Sequence, residues 1–198
     1  MLRIGVFGSG QGTILQALLN NNDSTVEVVF SDRPCRFLEI GKNAGIPSLM
    51  LPYEQEGYDA KIAALLPPGL DFLILAGYMR LVKKPLLDAY PNRILNVHPA
   101  DLQAVDERGR RKYTGANSVF DALSAGERKT RSTVIAVDEG MDTGRIICFG
   151  PWVTYSQGEP VTRERARRHQ EIQKKESDIP ALQQALSREG AFSAGKQS

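Results

Sequence analysis

The chain has 198 residues, of which 41% are hydrophobic and 24% are charged, and its formal net charge is +2. This length predicts one globular domain with a well-buried core. So small a net charge gives no indication of nucleic-acid binding. No apolar run approaches the roughly 20 residues that a membrane-spanning helix needs. Neither a membrane nor a nucleic acid is therefore expected as a partner.

The two cysteines, Cys35 and Cys148, lie far apart in the sequence and outside any metal-ligand spacing. Such cysteines are typical of free thiols in a reducing compartment. The first residues form an apolar strand and lack the long apolar segment and cleavage site of a signal peptide. We therefore expect a cytoplasmic protein. Its oligomeric state stays open, with a homodimer as one option.

Short apolar strands alternate with helical patterns through the first half of the chain. Strands are predicted at residues 4–7, 26–30, 48–51, 71–76 and 93–98, and helices at 13–19, 35–44, 58–66 and 83–90. The run at 71–76 is apolar almost throughout, which indicates a strand buried on both faces. This alternation predicts an α/β fold with a Rossmann-like, doubly wound, mostly parallel sheet and helices on both faces.

The second half of the chain is more polar. Residues 101–112 are charged and predict a loop, followed by a helix at 118–125 and strands at 132–137 and 145–149. Residues 160–186 predict charged helices with a break at Pro180, and residues 190–198 predict a polar tail.

Asn96 and His98 stand at the end of the predicted fifth strand, directly before Pro99. Residues spaced i, i+2 on a strand point to the same face. In open α/β sheets, ligands bind outside the carboxyl ends of the strands. An amide donor beside an imidazole suits a reaction that develops charge on a carbonyl oxygen and moves a proton. The alternative is a strand-end cap with a hydrogen-bonded core histidine.

The turn after the first strand is rich in glycine, with Gly8, Gly10 and Gly12. Backbone amides at the start of a helix favour anions, phosphate above all. A tight turn without a ligand is an equal alternative. A bound dinucleotide, with Asp32 as the ribose ligand, is a weaker one, because Thr13 stands where the fingerprint needs its third glycine.

Asp142 lies in the connection between the two late strands. A carboxylate near His98 would orient the imidazole and raise its pKa. The alternative is a turn aspartate, since Asp-Thr-Gly is a favourable turn sequence.

Together these segments resemble the folate-dependent formyltransferases, and within them the glycinamide ribonucleotide formyltransferases of purine synthesis. The resemblance rests on the ordered motifs Gly10-Gln11-Gly12-Thr13, Leu75-Ala76-Gly77-Tyr78-Met79-Arg80-Leu81, Leu95-Asn96-Val97-His98-Pro99, Tyr113-x-Gly115 and Val137-Asp138-Glu139-Gly140-Met141-Asp142-x-Gly144. It implies one formyltransferase domain over residues 1–189. The phosphate-side half would span about 1–98, the folate and catalytic half about 70–155 and the C-terminal helices 160–189, with a flexible tail at 190–198.

The resemblance implies a role for each matching position. Asn96, His98 and Asp142 would be catalytic. The folate would be held at Met79, Arg80, Leu81, Val82, Val137, Asp138, Glu139, Gly140 and Met141. The substrate would be bound at Gly10, Gln11, Gly12, Thr13 and Glu176.

The implied reaction is transfer of a formyl group from 10-formyltetrahydrofolate, the co-substrate, to a primary amine, foremost glycinamide ribonucleotide. No metal is expected, and the presence of only His98 and His169 excludes a multi-histidine site. The expected partners are the folate and a small phosphorylated amine. Open alternatives are another acceptor such as an amino sugar, a nucleotide-binding oxidoreductase or sensor, and a non-catalytic folate-binding relative.

The departures from the family pattern fall on the acceptor side. Ile14 stands where the family usually has asparagine, Asn117 where it has histidine, and residues 101–112 include an insertion. Gln173 and Glu176 fit the family's C-terminal substrate residues only with a one-residue gap. Arg108, Arg110 and Arg111 of the insertion predict either a replacement anion site or, as the favoured interpretation, a solvated loop.

Overall fold

The computed structural model describes residues 1–156 and 160–194. The elements of the first half are β1 Leu2–Phe7, α1 Thr13–Leu19, β2 Ser24–Ser31, α2 Arg36–Asn43, β3 Ser48–Met50, α3 Tyr58–Leu65, β4 Phe72–Leu75, α4 Lys84–Ala89 and β5 Ile94–His98. The second half contains α5 Ser118–Ser124, β6 Lys129–Thr130, β7 Thr133–Ala136, β8 Arg145–Phe149, β9 Val153–Thr154, α6 Arg163–Gln173, a π-helical turn Lys174–Asp178 and α7 Ile179–Ala194.

Seven strands form one sheet in the order β3-β2-β1-β4-β5-β7-β8. The pairs β1–β2, β1–β4, β2–β3 and β4–β5 are parallel. The predicted α/β architecture with a mostly parallel, doubly wound sheet is therefore confirmed. The strand order reverses between β1 and β4, and in such sheets this reversal marks the crevice where ligands bind.

The chain divides into two compact units: Met1–Asn96 with Ala136–Gly140, and Val97–Ile135 with the described part of Met141–Ser198. The first unit is built on the apolar strands. All four residues of β4 are buried, as its apolar sequence predicted. Its core joins Phe7 and Phe30, whose ring centroids lie 4.8 Å apart, to Tyr58 and Tyr78. This core gives the strand ends of the first unit a rigid base.

The second unit mixes apolar and polar burial. Val119, Leu123, Tyr155 and Ala166 form one apolar cluster. The short strands β6 and β9 pair as a separate antiparallel sheet that the sequence did not predict. Two residues are too few to show the alternation by which a strand is recognised.

Two predictions about the C-terminal region need correction. Pro180 does not break the helix, because α6, the π-helical turn and α7 follow one another without interruption. The irregularity is the π-helical turn itself, which ends two residues before Pro180 and widens the helix there. The tail also begins later than predicted, since α7 continues past Gly190 to Ala194. Residues 195–198 lie outside the described residues.

No helix within the described residues is both long enough and apolar enough to cross a membrane.

Candidate active site at the end of strand β5

Strand β5 carries Asn96 and His98 and ends at His98. Asn96 pairs in register with Leu75, the last residue of β4, so it lies at the carboxyl edge of the parallel sheet. Asn96 is half-buried, whereas His98 is only 4% exposed. The sequence prediction of a strand that ends on these two side chains is thus confirmed, and their catalytic roles stay predictions.

Both ring nitrogens of His98 face protein groups. Nε2 lies 2.6 Å from the backbone oxygen of Tyr113, and Nδ1 lies 3.4 Å from Oδ1 of Asp142. A carbonyl oxygen only accepts hydrogen bonds, so Nε2 carries a proton and donates it. In the neutral ring Nδ1 then holds the lone pair. A proton taken up at Nδ1 would therefore lie between the imidazole and the carboxylate.

Burial lowers the pKa of His98 below its ordinary value. The charge of Asp142 and the hydrogen bond to the Tyr113 carbonyl raise it, and the charge of Arg111 lowers it further, but desolvation is the largest cause. Asp142 raises the pKa of His98, as the sequence predicts, but burial outweighs it, so the neutral imidazole is the favoured form at pH 7.

Asp142 is held in place through its backbone and its side chain. Its φ of 54° lies in the left-handed region, which few residues other than glycine adopt. Its Oδ2 accepts a 2.7 Å hydrogen bond from the backbone N–H of Gly115, which leaves Oδ1 for His98. The structure thus brings the predicted pair His98 and Asp142 together. Tyr113 and Gly115, on one short stretch of chain, supply a backbone partner to each.

Arg111 is the residue at this site whose role the sequence did not reveal. Its guanidinium donates to the carbonyl oxygen of Asp142 and, at 3.0 Å, to that of Gly144. Arg110 instead pairs with Asp106 at 2.8 Å inside its own loop, and the Arg108 side chain is exposed. For Arg111 the favoured interpretation, a solvated loop, is wrong, because its charge is used on backbone carbonyls of the connection that carries Asp142.

The glycine-rich turn of the first unit runs from β1 into α1. Gly12 has a φ of 78° and caps α1 without a side-chain hydrogen bond, so the first amides of the helix lack a capping side chain. The hydroxyl of Ser9 donates to the oxygen of Gly77 at 3.1 Å, which ties this turn to the segment that follows β4. Ile14 is buried and offers no polar group to the turn. Of the other predicted substrate-side residues, Gln11 is exposed and Thr13 begins the helix.

The segment after β4 presents apolar side chains to solvent. Met79 is 59% and Leu81 47% exposed, whereas Val82 is buried. Arg80 donates from Nε to Oδ2 of Asp32 at 2.7 Å and lies 4.3 Å above the ring of Tyr53. The roles of Met79, Arg80, Leu81 and Val82 in binding the folate stay predictions.

Asp32 is already occupied by guanidinium groups. Arg33 binds both of its carboxylate oxygens at 2.9 Å, and Arg80 binds one of them. The hydrogen bonds of Arg33 and Arg80 hold the pKa of Asp32 below its ordinary value, against the effect of burial. A ribose ligand role for Asp32 would require these partners to leave.

The second predicted folate segment begins beside β5, where the N–H of Val137 donates to the oxygen of Ile94 at 2.8 Å. Asp138 closes a turn by accepting from the N–H of Gly140, and Glu139 is exposed. Met141, the first residue of this segment in the second unit, is 62% exposed.

The two C-terminal candidates differ in burial. Glu176 is exposed on the π-helical turn. Gln173 is fully buried, donates to the oxygen of Pro99 at 2.8 Å and accepts from the hydroxyl of Thr130. Gln173 therefore supports the chain just after His98. Across residues 1–156 and 160–194, no group of three or more His, Cys, Asp or Glu side chains is arranged to hold a metal ion.

Comparison with known proteins identifies the family of this chain. The family model described as formyl transferase matches residues 2–151. The trifunctional purine biosynthetic protein adenosine-3 of Drosophila melanogaster is 37% identical over 158 residues, which is 73% of this chain but only 11% of that protein. The phosphoribosylglycinamide formyltransferase of Bacillus subtilis is 34% identical over 160 residues, covering 74% of this chain and 77% of the relative.

Solved structures agree with these sequence relatives. Glycinamide ribonucleotide transformylase 1 from Symbiobacterium toebii has a TM-score of 0.75 at 36% identity, covering 95% of this chain and 89% of that one. The phosphoribosylglycinamide formyltransferase of Streptococcus pneumoniae has a TM-score of 0.73 at 34% identity, covering 88% and 94%. The match to the family model, over residues 2–151, spans the strand that carries Asn96 and His98 and the connection that carries Asp142. This chain belongs to the formyl transferase family.

Proposed function

We propose that this protein transfers the formyl group of 10-formyltetrahydrofolate to the primary amine of glycinamide ribonucleotide, a step of purine biosynthesis. The observation that carries the proposal is the pair formed by His98 and Asp142 in a chain of the formyl transferase family. His98 ends strand β5 and stands two residues after Asn96 on that strand. Relatives that are named for this activity, at 34% and 36% identity, support the choice of acceptor.

Asn96 and the histidine–aspartate pair divide the chemistry. The amine nitrogen forms a bond to the formyl carbon, and negative charge develops on the formyl oxygen. The Asn96 amide donates a hydrogen bond to that oxygen, and one such donor lowers the barrier by about 3 kcal/mol. Collapse of the intermediate breaks the bond from carbon to the folate nitrogen.

His98 and Asp142 handle the proton of the attacking amine. Neutral His98 takes it up, through water, at the side that faces Asp142, and the carboxylate stabilises the imidazolium that forms. The proton then passes to the leaving folate nitrogen, so tetrahydrofolate is released and His98 is neutral again. The lowered pKa of His98 suits this cycle, because the ring begins each turnover uncharged.

The remaining site residues bind the two substrates. Met79, Leu81 and Met141 are exposed apolar side chains and are the proposed contacts of the folate rings. We assign Arg80, Val82 and the backbone of residues 137–141 to folate binding as well. The turn of residues 10–13 is the proposed backbone-amide site for the acceptor phosphate, and exposed Glu176 is the proposed acceptor contact in the C-terminal helices.

The protein acts in this proposal as one formyltransferase domain over residues 1–189, without a metal ion. Within residues 1–156 and 160–194, Cys35 and Cys148 are not joined in a disulfide, which supports work in the reducing cytoplasm. A different amine acceptor would be served by the same His98 and Asp142 chemistry, but the activities for which the relatives are named do not favour it. The oxidoreductase alternative is weakened by the two arginines that occupy Asp32.

The test is turnover of 10-formyltetrahydrofolate with glycinamide ribonucleotide, followed by the absorbance change as tetrahydrofolate forms. Formylated product at a rate that depends on both substrates supports the proposal. Turnover with an amino sugar alone would replace the acceptor. Tight nicotinamide dinucleotide binding without folate binding would overturn the proposal.

A further inference from the structure

We propose that Arg111 is a positioning residue for the reaction, which fixes the connection bearing Asp142 so that its carboxylate faces His98. The inference rests on the proposed function and deepens it, because it assigns a task to the inserted segment. Among the described residues, the side-chain hydrogen bonds of Arg111 go to the backbone oxygens of Asp142 and Gly144, so its role in this proposal is exerted through Asp142 and not on a substrate.

The contacts of Arg111 form a fork. One guanidinium nitrogen donates to the oxygen of Asp142 and the other to that of Gly144. Two parallel N–H donors on a planar group fix both distance and orientation, which a single amine cannot do. Asp142 needs such support, because its left-handed φ of 54° is costly for a residue with a Cβ.

The inserted loop in turn holds Arg111. Val105 and Arg111 form an antiparallel bridge, and the N–H of Lys112 donates to the oxygen of Ala104 at 3.0 Å. Asp106 closes the tip by accepting from the N–H groups of Arg108 and Arg110, each at 2.9 Å. The insertion is therefore an ordered hairpin-like loop that presents one arginine inward.

The same stretch of chain continues to both partners of the proton pair. Tyr113 accepts from His98, and the N–H of Gly115 donates to Asp142. Arg111 thus joins this stretch to the 142–144 connection at the point where His98 and Asp142 meet. Loss of the fork would free Asp142 to move away from His98 while its own charge stayed intact.

This predicts an electrostatic signature. The charged groups that act on His98 are Asp142, which raises its pKa, and Arg111, which lowers it, and Asp142 has the larger effect. If Arg111 positions Asp142, its removal lowers the pKa of His98 further, because the carboxylate withdraws. If Arg111 acts only by its charge, its removal raises that pKa.

The experiment compares Arg111→Met, Arg111→Lys and the matched control Arg108→Met, which removes the same charge from an exposed position of the same loop. We expect kcat to fall about 100-fold in R111M, the scale of a small misplacement of a catalytic group. In R111K, where the lysine keeps the charge and reaches one carbonyl oxygen, we expect kcat to fall about 10-fold. KM for both substrates stays within about twofold, because only the proton pair is disturbed. R108M matches the wild type.

NMR titration of labelled histidine provides the second readout and needs no turnover. Only His98 and His169 contribute, and His98→Gln assigns the signals. We expect a lower His98 pKa in R111M, a smaller decrease in R111K and no change in R108M. A raised pKa in R111M, or wild-type values of both kcat and pKa in a folded R111M, would overturn the proposal. If the wild type fails to turn over, the proposed function fails, and the titration still decides the role of Arg111.

Discussion

Two carboxylates, buried Asp32 in the first unit and partly buried Asp142 in the second, both lie beside arginine, and they differ in what the arginine binds. At Asp32, Arg33 and Arg80 donate to the carboxylate oxygens themselves. At Asp142, Arg111 donates to the backbone oxygen, whereas the N–H of Gly115 and the ring of His98 lie at the carboxylate oxygens. A guanidinium that binds the carboxylate oxygens gives the carboxylate a structural role. A guanidinium that binds the backbone oxygen of the same residue leaves the carboxylate able to stabilise a charge that forms during a reaction.

The largest expected effect separates these two carboxylates by activity. Asp142→Asn removes the charge that stabilises protonated His98, and we expect kcat to fall about 1,000-fold, within the range for general acid–base groups. Steady-state kinetics with both substrates measures it. The unfolding midpoint in urea shows whether the variant is folded.

The comparison would be broken by the opposite result. If Asp142→Asn kept wild-type kcat while Asp32→Asn lost it, the chemistry would lie in the first unit and the assigned roles would be reversed.

Asn96→Ala gives the next largest effect. It removes a donor to the developing oxyanion but leaves His98 and Asp142 in place, so we expect kcat to fall about 100-fold. The pH dependence of kcat should keep its shape, because no titrating group changes. A shift of the pH profile of Asn96→Ala would indicate that Asn96 acts through His98 instead of on the substrate.

Much of the fold could be predicted because the apolar patterns are local. Residues 71–76 indicated a strand buried on both faces, and β4 is buried at every position. The short pair β6 and β9 was missed because two residues carry no periodicity. The continuity of the helices at Pro180 was missed because a π-helical turn has no simple sequence signal.

The candidate site could be predicted only in part. The strand end at Asn96 and His98 follows from sequence spacing, and the resemblance pointed to Asp142. The direction of the His98 pKa could not be foreseen, since it depends on how deeply the ring is buried, and burial outweighed Asp142. The fork of Arg111 joins residues 31 positions apart, and nothing in a charged stretch distinguishes such an arginine from a solvated one.

A third carboxylate, Asp178, extends the comparison to a site without arginine. It accepts from the hydroxyl of Ser132, and burial raises its pKa to about 6 from an ordinary 3.8. Because this pKa is higher in the folded than in the unfolded state, the protonated carboxyl group stabilises the folded state at low pH. This stabilisation is lost as the pH rises through about 6. Wild-type stability therefore decreases between pH 4 and pH 8 through this group.

Asp178→Asn should remove the decrease in stability that this carboxyl group causes between pH 4 and pH 8. We expect the free energy of unfolding of the variant, relative to wild type, to increase by about 2 kcal/mol between pH 4 and pH 8. Urea unfolding at both pH values measures it. Asp121→Asn, the same change at an exposed position, is the control. A difference that does not vary with pH would mean that Asp178 is not buried as a neutral acid.

The smallest expected effect is that of Asp32→Asn. The pH dependence of stability through Asp32 has the opposite sign to that through Asp178. The pKa of Asp32 is lowered by Arg33 and Arg80, so its contribution to stability is present above about pH 4 and is lost as pH falls below that value. Because both arginines are partly exposed, we expect the free energy of unfolding of Asp32→Asn to fall by only about 1–2 kcal/mol at pH 7.

The same substitution loosens Arg80, which should raise KM for the folate a few-fold, while kcat stays within about threefold of wild type. Urea unfolding at pH 7 and pH 3, where the difference from wild type should shrink, measures the first part, and kinetics the second. A carboxylate whose loss lowers stability without lowering kcat is what arginine on its oxygens predicts, and a large fall in kcat would show that Asp32 reaches the chemistry after all.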